Sequence, residues 1–303
     1  MKNALLLGLA LLSGLLAIPA QAVLKVFACE PEWAALAQEL GDQDVEAYSA
    51  STALQDIHKI QARPSLIAKY RQADLVVCTG AELEIGWLPA LVEKANNPSV
   101  LPGTRGYFEA SQHVRMLEVP SSVDRALGDV HPYGNPHVQT NPQNILPIAQ
   151  ALAERMAELD GARADAYRQR FAQFQKRWLD ALAKWQARAA PLKGMQVVSH
   201  HKTWVYLYDW LNIREVATLE PKPGIPPSGA QLQRVLGSVK GQPVKAVVYS
   251  SYEDSHAANW LSERTHIPAV QLPLSVGGAK GADDLFGLYD VMLDRLLQAA
   301  KTP

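Results

Sequence analysis

The side chains best suited to chemistry in this sequence are its histidines. There are eight, spread along the chain at His58, His113, His131, His137, His200, His201, His256 and His266. No two of them have the spacing of a helical HExxH zinc motif, and the two cysteines are too far apart to form a zinc knuckle. Local metal motifs are therefore absent, and the role of the histidines depends on where the fold places them.

Several polar side chains lie in loops next to predicted strands or just before a helical region. In chain order they are His58, His137, His200, His201, Asp283 and Asp284. In open α/β sheets, ligands bind beyond the carboxyl ends of the strands. If these residues converge on one cleft, three imidazoles and one carboxylate would suit a tetrahedral zinc ion.

Each of these residues also has a plainer interpretation. A histidine in a loop is often a surface side chain or a local hydrogen-bond partner, and His113, His256 and His266 have the sequence surroundings of surface residues. Asp283 or Asp284 fits equally well as the N-cap of the last helix. Position alone therefore leaves the metal site open.

The elements that would position these residues alternate between short apolar runs and helical segments. The predicted strands are Val23–Cys29, Val45–Ser49, Leu75–Thr79, Gln196–Ser199, Ile213–Leu219, Val244–Ser250 and Ala269–Leu272. The predicted short helices are Pro31–Leu40, Arg63–Gln72, Trp204–Leu211, Ser228–Val239, His256–Arg264 and Asp284–Ala300. This alternation favours an α/β fold with mainly parallel sheets. Residues 96–141 lack periodicity and are rich in Pro, Gly and Asn, so they are predicted to be mostly loop.

A strongly helical region begins at Pro142 and is interrupted at Asp160-Gly161. The second helix is predicted from Ala162 to Ala189, which is long enough to run the length of two lobes. Its apolar stripe is interpreted as a core face rather than a ligand box: Tyr167, Phe171, Phe174, Trp178, Leu182 and Trp185. The predicted organisation is an N-terminal α/β lobe at 23–160, a linking helix at 161–190 and a C-terminal α/β lobe at 191–303.

Residues 1–22 have the pattern of a cleaved secretory signal. Lys2 is followed by an apolar run from Ala4 to Ile18, and Ala20-Gln21-Ala22 gives the small-x-small cleavage pattern. The run is short for a membrane span of about 20 residues, and no cysteine follows the cleavage site to carry a lipid. We therefore expect a soluble, exported, periplasmic protein that begins at Val23.

The charge balance excludes several classes of partner. The chain has 29 basic and 30 acidic side chains and a net charge of −1. It offers no basic field for nucleic acid and no polybasic patch for a membrane surface. We expect a monomer with no nucleic-acid partner.

Cys29 and Cys78 are the two cysteines, and both lie at the ends of predicted strands. An exported protein can oxidise such a pair, so we predict one disulfide if the two strands are neighbours in a sheet. Two separate buried thiols remain the alternative, because the sequence does not show whether the two Cα atoms come within reach.

Several stretches of the chain resemble cluster A-I, the periplasmic binding proteins that serve zinc and manganese ABC transporters. They are Asp56-Ile57-His58 with Arg63-Pro64-Ser65, residues 73–84 (ADLVVCTGAELE), Gly134-Asn135-Pro136-His137 through Asn141-Pro142, residues 197–204 (VVSHHKTW), and Leu272-Pro273 through Ser275-Val276-Gly277-Gly278. The resemblance covers essentially all of the mature sequence. It implies two α/β lobes bridged by one rigid long helix, with the metal in the cleft between them.

The resemblance also implies a set of ligands. The histidine of the Asp-x-His motif is His58, and that of the Asn-Pro-His motif is His137. At the strand end the ligand is His201, because the register is set by Trp204 three residues later, and His200 then points away.

The fourth ligand is where this chain departs from the family. Some members have an aspartate directly after the last strand, where this chain has Leu274-Ser275-Val276. Asp284 is the first choice, Asp283 the second and water the third. The usual Asp-Pro-His is Asp56-Ile57-His58, and the long loop rich in histidine and acids is missing. A short remnant of that loop holds His131, which could meet zinc transiently.

The function implied by the resemblance is that of a solute-binding protein, not an enzyme. It would capture Zn²⁺ and deliver it to an inner-membrane ABC permease. Zinc is expected rather than Mn²⁺, because His201 stands where manganese-binding relatives often carry a carboxylate, and oxygen ligands favour the harder ion. One alternative is a zinc hydrolase, for which Glu220 and Glu253 are the only acids in plausible strand-end loops. Another is a metal-binding adhesin of the same fold.

Overall fold

The computed structural model describes residues 22–122, 128 and 130–302. The predicted signal peptide, apart from Ala22, lies outside these residues. Within the described part of the chain, none of the helices combines the length and the apolar character needed to cross a membrane.

The first half of the chain forms a four-stranded parallel sheet. Its strands are β1 (Leu24–Ala28), β2 (Val45–Ser49), β3 (Leu75–Cys78) and β4 (Tyr107–Glu109), in the order β2-β1-β3-β4. The helices that accompany it are α1 (Pro31–Gly41), α2 (Pro64–Arg71) and α3 (Leu88–Ala95). We call this sheet and its helices the N-terminal lobe. All three helices have a proline in their first turn. Backbone N–H groups there make no hydrogen bond within the helix, so a proline, which lacks this N–H, costs nothing at that position.

The second half repeats this arrangement. Its strands are β5 (Gln196–Ser199), β6 (Arg214–Thr218), β7 (Val244–Ser250) and β8 (Ala269–Leu272), parallel and in the order β6-β5-β7-β8. The helices are α6 (Val205–Leu211), α7 (Gly229–Val239), α8 (His256–Thr265) and α9 (Leu285–Ala300). We call this unit the C-terminal lobe. In both lobes the chain order of the strands places the first strand between the second and third.

Two helices follow one another between the two sheets, and the second is the long one. Helix α4 spans Pro142–Leu159, and α5 spans Ala164–Ala189 after a short 3-10 turn. With 26 residues, α5 is about 39 Å long at about 1.5 Å per residue. This confirms the two-lobe fold with one long helix that the sequence predicts.

The aromatic stripe of α5 is core, as the sequence analysis interprets it. Trp178 is fully buried, and its ring packs edge-to-face against Phe286 and Tyr289 of α9. On the other side, Trp178 Nε1 donates to the carbonyl of Pro142 at 2.8 Å. One apolar core therefore extends through α5 into both lobes. Such continuous packing resists bending of the helix.

Two elements of the N-terminal lobe were not predicted from the sequence. Strand β4 lies inside the region predicted to be mostly loop, and α3 was not predicted at all. Strand β4 has only three residues, too few for an alternating pattern to show. It pairs in parallel with β3 at the edge of the sheet.

Cys29 and Cys78 form the predicted disulfide. Strands β1 and β3 are neighbours, and the N–H of Cys29 donates to the carbonyl of Val77 at 2.8 Å. The two Cα atoms are consequently 4.8 Å apart, within the range that a disulfide requires. The bond closes a loop across 49 residues of sequence.

We predict that the double variant Cys29→Ala/Cys78→Ala is less stable by about 2–4 kcal/mol, because a disulfide restricts the unfolded chain. Denaturant unfolding of the parent and the variant, each with and without reductant, measures this difference. Reductant should destabilise the parent and leave the variant unchanged. Free thiols in the denatured, unreduced parent would contradict the prediction.

Candidate metal centre

His58 is held in place by the residue two positions before it. Asp56 caps the short 3-10 turn Ile57–Lys59, and its carboxylate accepts the backbone N–H of His58 at 3.0 Å. The same oxygen lies 2.8 Å from the imidazole Nδ1 of His58. Because Asp56 itself fixes the turn, Ile57 can stand where the family has proline. The other ring nitrogen, Nε2, is buried and has no hydrogen-bond partner.

His137 is the most buried of the candidate ligands, with only 1% of its surface exposed. The side chain of Asn135 accepts the backbone N–H of His137 at 3.1 Å, and the hydroxyl of Thr140 donates to its carbonyl at 2.9 Å. These bonds fix the turn before α4. Both ring nitrogens of His137 are buried without a partner.

His201 lies two residues beyond the end of β5. Its Nδ1 lies 2.7 Å from a carboxylate oxygen of Glu220, and that oxygen also accepts the N–H of Gly224 at 3.0 Å. Trp204 was expected to set which of the two adjacent histidines faces the cleft. Its indole is fully buried, which agrees with His201 rather than His200 facing it. His200 is bound through its backbone to Val248 and Glu220 and does not join the other histidines.

Three of the histidines meet in the cleft between the lobes. The ring centroids are separated by 5.8 Å for His58 and His137, 5.9 Å for His58 and His201, and 5.7 Å for His137 and His201. One nitrogen from each ring lies within 4.8 Å of the other two. His58 and His137 precede α5 and His201 follows it, so the two lobes contribute together to one cluster.

The expected fourth ligand, Asp284, is not brought to this cluster. Its carboxylate caps α9 by accepting the N–H of Gly287 at 2.7 Å, and the residue is exposed. Asp283 is exposed as well. The first N–H groups of a helix have no partner within the helix and commonly bind a side-chain oxygen of the N-cap residue. In α9 that oxygen belongs to the carboxylate of Asp284. Among the described residues, the group that includes His58, His137 and His201 contains no carboxylate.

The two acids considered for a hydrolase both accept hydrogen bonds. Glu220 is bound to His201 and Gly224. Glu253 accepts the backbone N–H of Ser250 at 2.6 Å through one oxygen, and its other oxygen, Oε1, is buried without a partner. A general base must lie within hydrogen-bond reach of the proton that it takes. Neither acid belongs to the group formed by His58, His137 and His201.

The surroundings of His137 and His201 shift the pKa values of the two imidazoles in opposite directions. Burial lowers the pKa of His137 well below its usual range, and the neighbouring His201 and His58 lower it further. Burial also lowers the pKa of His201, but the hydrogen bond and charge of Glu220 outweigh burial and raise it overall. Burial raises the pKa of Asp56, yet its contacts with His58 hold it at about 2. His137 is thus neutral at neutral pH, while Asp56 stays ionised beside His58.

This arrangement is suited to a divalent metal ion. Histidines that bind metals through one nitrogen commonly pair the other with a carboxylate, which fixes the tautomer and strengthens the ligand. Asp56 and Glu220 provide such pairs for His58 and His201. Asp56 is part of the same short motif as His58, so the sequence pointed to it. Glu220 lies 19 residues from His201, and no local pattern in the sequence predicted that the two would pair. Cavities of about 540 Å³ and 300 Å³ adjoin the cluster on its two sides.

The fold and cluster define a two-lobed metal-binding protein, and the comparisons with known proteins name its family. The model of the ZnuA family, the periplasmic component A of the zinc-uptake complex, matches residues 26–299. The chain belongs to this family and is a metal ABC transporter substrate-binding protein. This confirms the resemblance read from the sequence.

Curated relatives and solved structures agree with this assignment. The chain is 23% identical to the manganese ABC transporter substrate-binding lipoprotein PsaA of Streptococcus pneumoniae over 274 residues, covering 89% of this chain and 85% of PsaA. It is 23% identical to the metal ABC transporter substrate-binding lipoprotein FimA of Streptococcus parasanguinis, covering 98% and 97%. A crystal structure of ZnuA superposes with a TM-score of 0.76 at 18% identity, covering 91% of this chain and 98% of that one. The Cd-bound periplasmic metal-binding protein of Candidatus Liberibacter asiaticus gives 0.75 at 16%, covering 91% and 99%.

We predict that Glu220→Gln lowers the pKa of His201 in the metal-free protein, because the amide keeps the shape of the carboxylate but loses its charge. An NMR titration of the imidazole resonances measures this change. Asp254→Asn, which alters the acid beside the exposed His256, is the matched control and should leave His201 unchanged. An unaltered His201 titration in Glu220→Gln would show that Glu220 does not set its charge.

Proposed function

We propose that this protein captures Zn²⁺ in the periplasm and delivers it to an ABC permease of the inner membrane. The observation that carries the proposal is the convergence of His58, His137 and His201, whose facing nitrogens come from both lobes. The ion is cargo, and no bond of a substrate is made or broken. Export through a cleaved signal at residues 1–22 and action as a monomer belong to the same proposal.

Nitrogen ligands are the reason to propose zinc rather than manganese. Imidazole suits zinc well, whereas carboxylate, carbonyl and water suit the harder Mn²⁺. Here the nearest carboxylates, those of Asp56 and Glu220, are turned to the outer nitrogens of His58 and His201. PsaA of S. pneumoniae is named for manganese, so the metal must be measured on this protein.

Capture and release follow from the division of the ligands between the lobes, which we take to be residues 23–160 and 191–303 around the linking helix 161–190. An ion bound by all three histidines ties the lobes together. Other bonds cross the same cleft: Ser251 donates to the carbonyl of Ala53 at 2.8 Å, and Ser275 donates to Glu32. A small separation of the lobes on the permease would withdraw His201 and release the ion.

The alanine variants of His58, His137 and His201 should each bind zinc at least about 100-fold more weakly, because each would remove one of the ion's ligands. His200→Ala and Asp284→Ala should bind like the parent. Competition titrations with a chelating dye, together with metal analysis of the purified protein, measure this. Circular dichroism of each metal-free variant controls for folding.

Two outcomes would contradict the proposal. If His200→Ala abolishes binding while His201→Ala does not, the register at the strand end is wrong. If all five variants bind zinc like the parent, the ion binds elsewhere.

Zinc affinity should fall as the pH is lowered, because each ligand must bind the ion as a neutral imidazole. Since Glu220 raises the pKa of His201, protons should begin to compete above about pH 6.5, the ordinary value for histidine. Zinc titrations between about pH 8 and 5.5 test this. Glu220→Gln should bind more weakly at pH 8, by about 10–100-fold, yet its decline should begin at a lower pH. The same onset of decline for both proteins would exclude the role of Glu220.

A further inference from the structure

The three-histidine cluster leaves one position of a tetrahedral ion without a protein ligand. Structural zinc sites are almost always four-coordinate. Asp284 caps a helix, and the carboxylates of Asp56 and Glu220 already face the outer nitrogens of their histidines. A fourth ligand from this chain must therefore be a different side chain.

His131 lies next to the cluster, beside His58. Its ring centroid lies 5.5 Å from that of His58, close to the spacing of the three cluster rings among themselves. Its Nε2 is buried and has no hydrogen-bond partner. His131, His137 and His201 also line the same cavity of about 300 Å³. A buried, unpartnered imidazole nitrogen beside three others is best explained by a ligand that they share.

The turn that carries His131 is fastened to both lobes. Gly134 donates to the carbonyl of His131 at 3.2 Å, and the next residue, Asn135, donates its backbone N–H to Leu117 at 2.8 Å and its side-chain amide to the carbonyl of Lys202 at 2.7 Å. Gly134 has φ +108°, and a Cβ there would lie 2.7 Å from the carbonyl oxygen of Leu117. The turn is thus tied to the residue directly after His201.

The backbone on the other side of His131 has an unusual conformation. Gly80, Ala81 and Glu82 are three consecutive residues with φ values of +78°, +52° and +63°. For residues with a Cβ, such left-handed conformations cost about 1 kcal/mol or more each. The backbone of Ala81 and Glu82 lies close to the ring of His131, and burial, together with the neighbouring His58 and His201, lowers the pKa of His131 to about 4. The Nε2 of this ring has no hydrogen-bond partner.

We infer that His131 is the fourth ligand of the transported ion, through Nε2. This inference rests on the proposed function, since it completes the same site. No nitrogen of His131 lies within 4.8 Å of all three cluster nitrogens, so ligation requires a small inward movement of the turn His131–Gly134. The ion then has four imidazole ligands and no carboxylate, which strengthens the preference for zinc over manganese.

X-ray absorption spectroscopy of the zinc-loaded mature protein tests the inference directly, because multiple scattering counts the imidazoles bound to the ion. The parent should show four, and both His131→Ala and His131→Gln should show three with an added oxygen ligand. The variants should bind zinc at least about tenfold more weakly and should lose part of their selectivity over Mn²⁺. Tyr133→Ala, which alters an exposed residue of the same turn, is the matched control and should keep four imidazoles.

The outcomes separate this inference from the proposed function. Three imidazoles in the parent, with unchanged affinity in His131→Ala, would overturn the role of His131 and leave zinc capture by the other three intact. A parent that binds no zinc would overturn both. Because the count in the parent needs no substitution, a variant that fails to fold does not remove the test.

Discussion

Buried imidazole nitrogens that face one another without partners are the constraint on which this structure depends. His58, His131 and His137 each have at least one such nitrogen. An unsatisfied buried polar group costs about 1–3 kcal/mol, so several of them together lower the stability of the metal-free protein. A bound cation would satisfy one nitrogen of each ring that it contacts, so the feature that costs stability in the metal-free protein provides affinity in the loaded one.

The opposing free energy comes from the apolar core that extends through α5. Trp178 and Trp185 lie on this helix, and both pack against Tyr289 of α9, while the indole of Trp178 also bonds to the start of α4. Interiors of this kind are densely packed and transmit strain rather than absorb it. A stiff connection lets the lobes hold their histidines a few ångströms apart, and it limits the movement available for release.

The carboxylates lie one layer behind the three-histidine cluster, and the two lobes use them in the same way. In each lobe one histidine of the cluster, His58 or His201, has an acid on its outer nitrogen. In the N-terminal lobe that acid is the local Asp56, whereas in the C-terminal lobe it is the more distant Glu220. His137 has no such acid, and its burial keeps it neutral instead. The site therefore combines two imidazoles whose outer nitrogens face a carboxylate with one that burial keeps neutral.

The alternation of strands and helices in the sequence determined the two α/β lobes and the long helix, because periodicity is a local property. The family resemblance carried by short motifs such as Asp56-Ile57-His58 implied the three histidines that meet. The sequence also indicated that Cys29 and Cys78 would pair. Tertiary structure alone decided the rest. It gave β4 its place beside β3. It also brought Glu220 to His201 and His131 to His58. These outcomes depend on which distant segments become neighbours, and spacing along a chain carries no record of a contact made across a cleft.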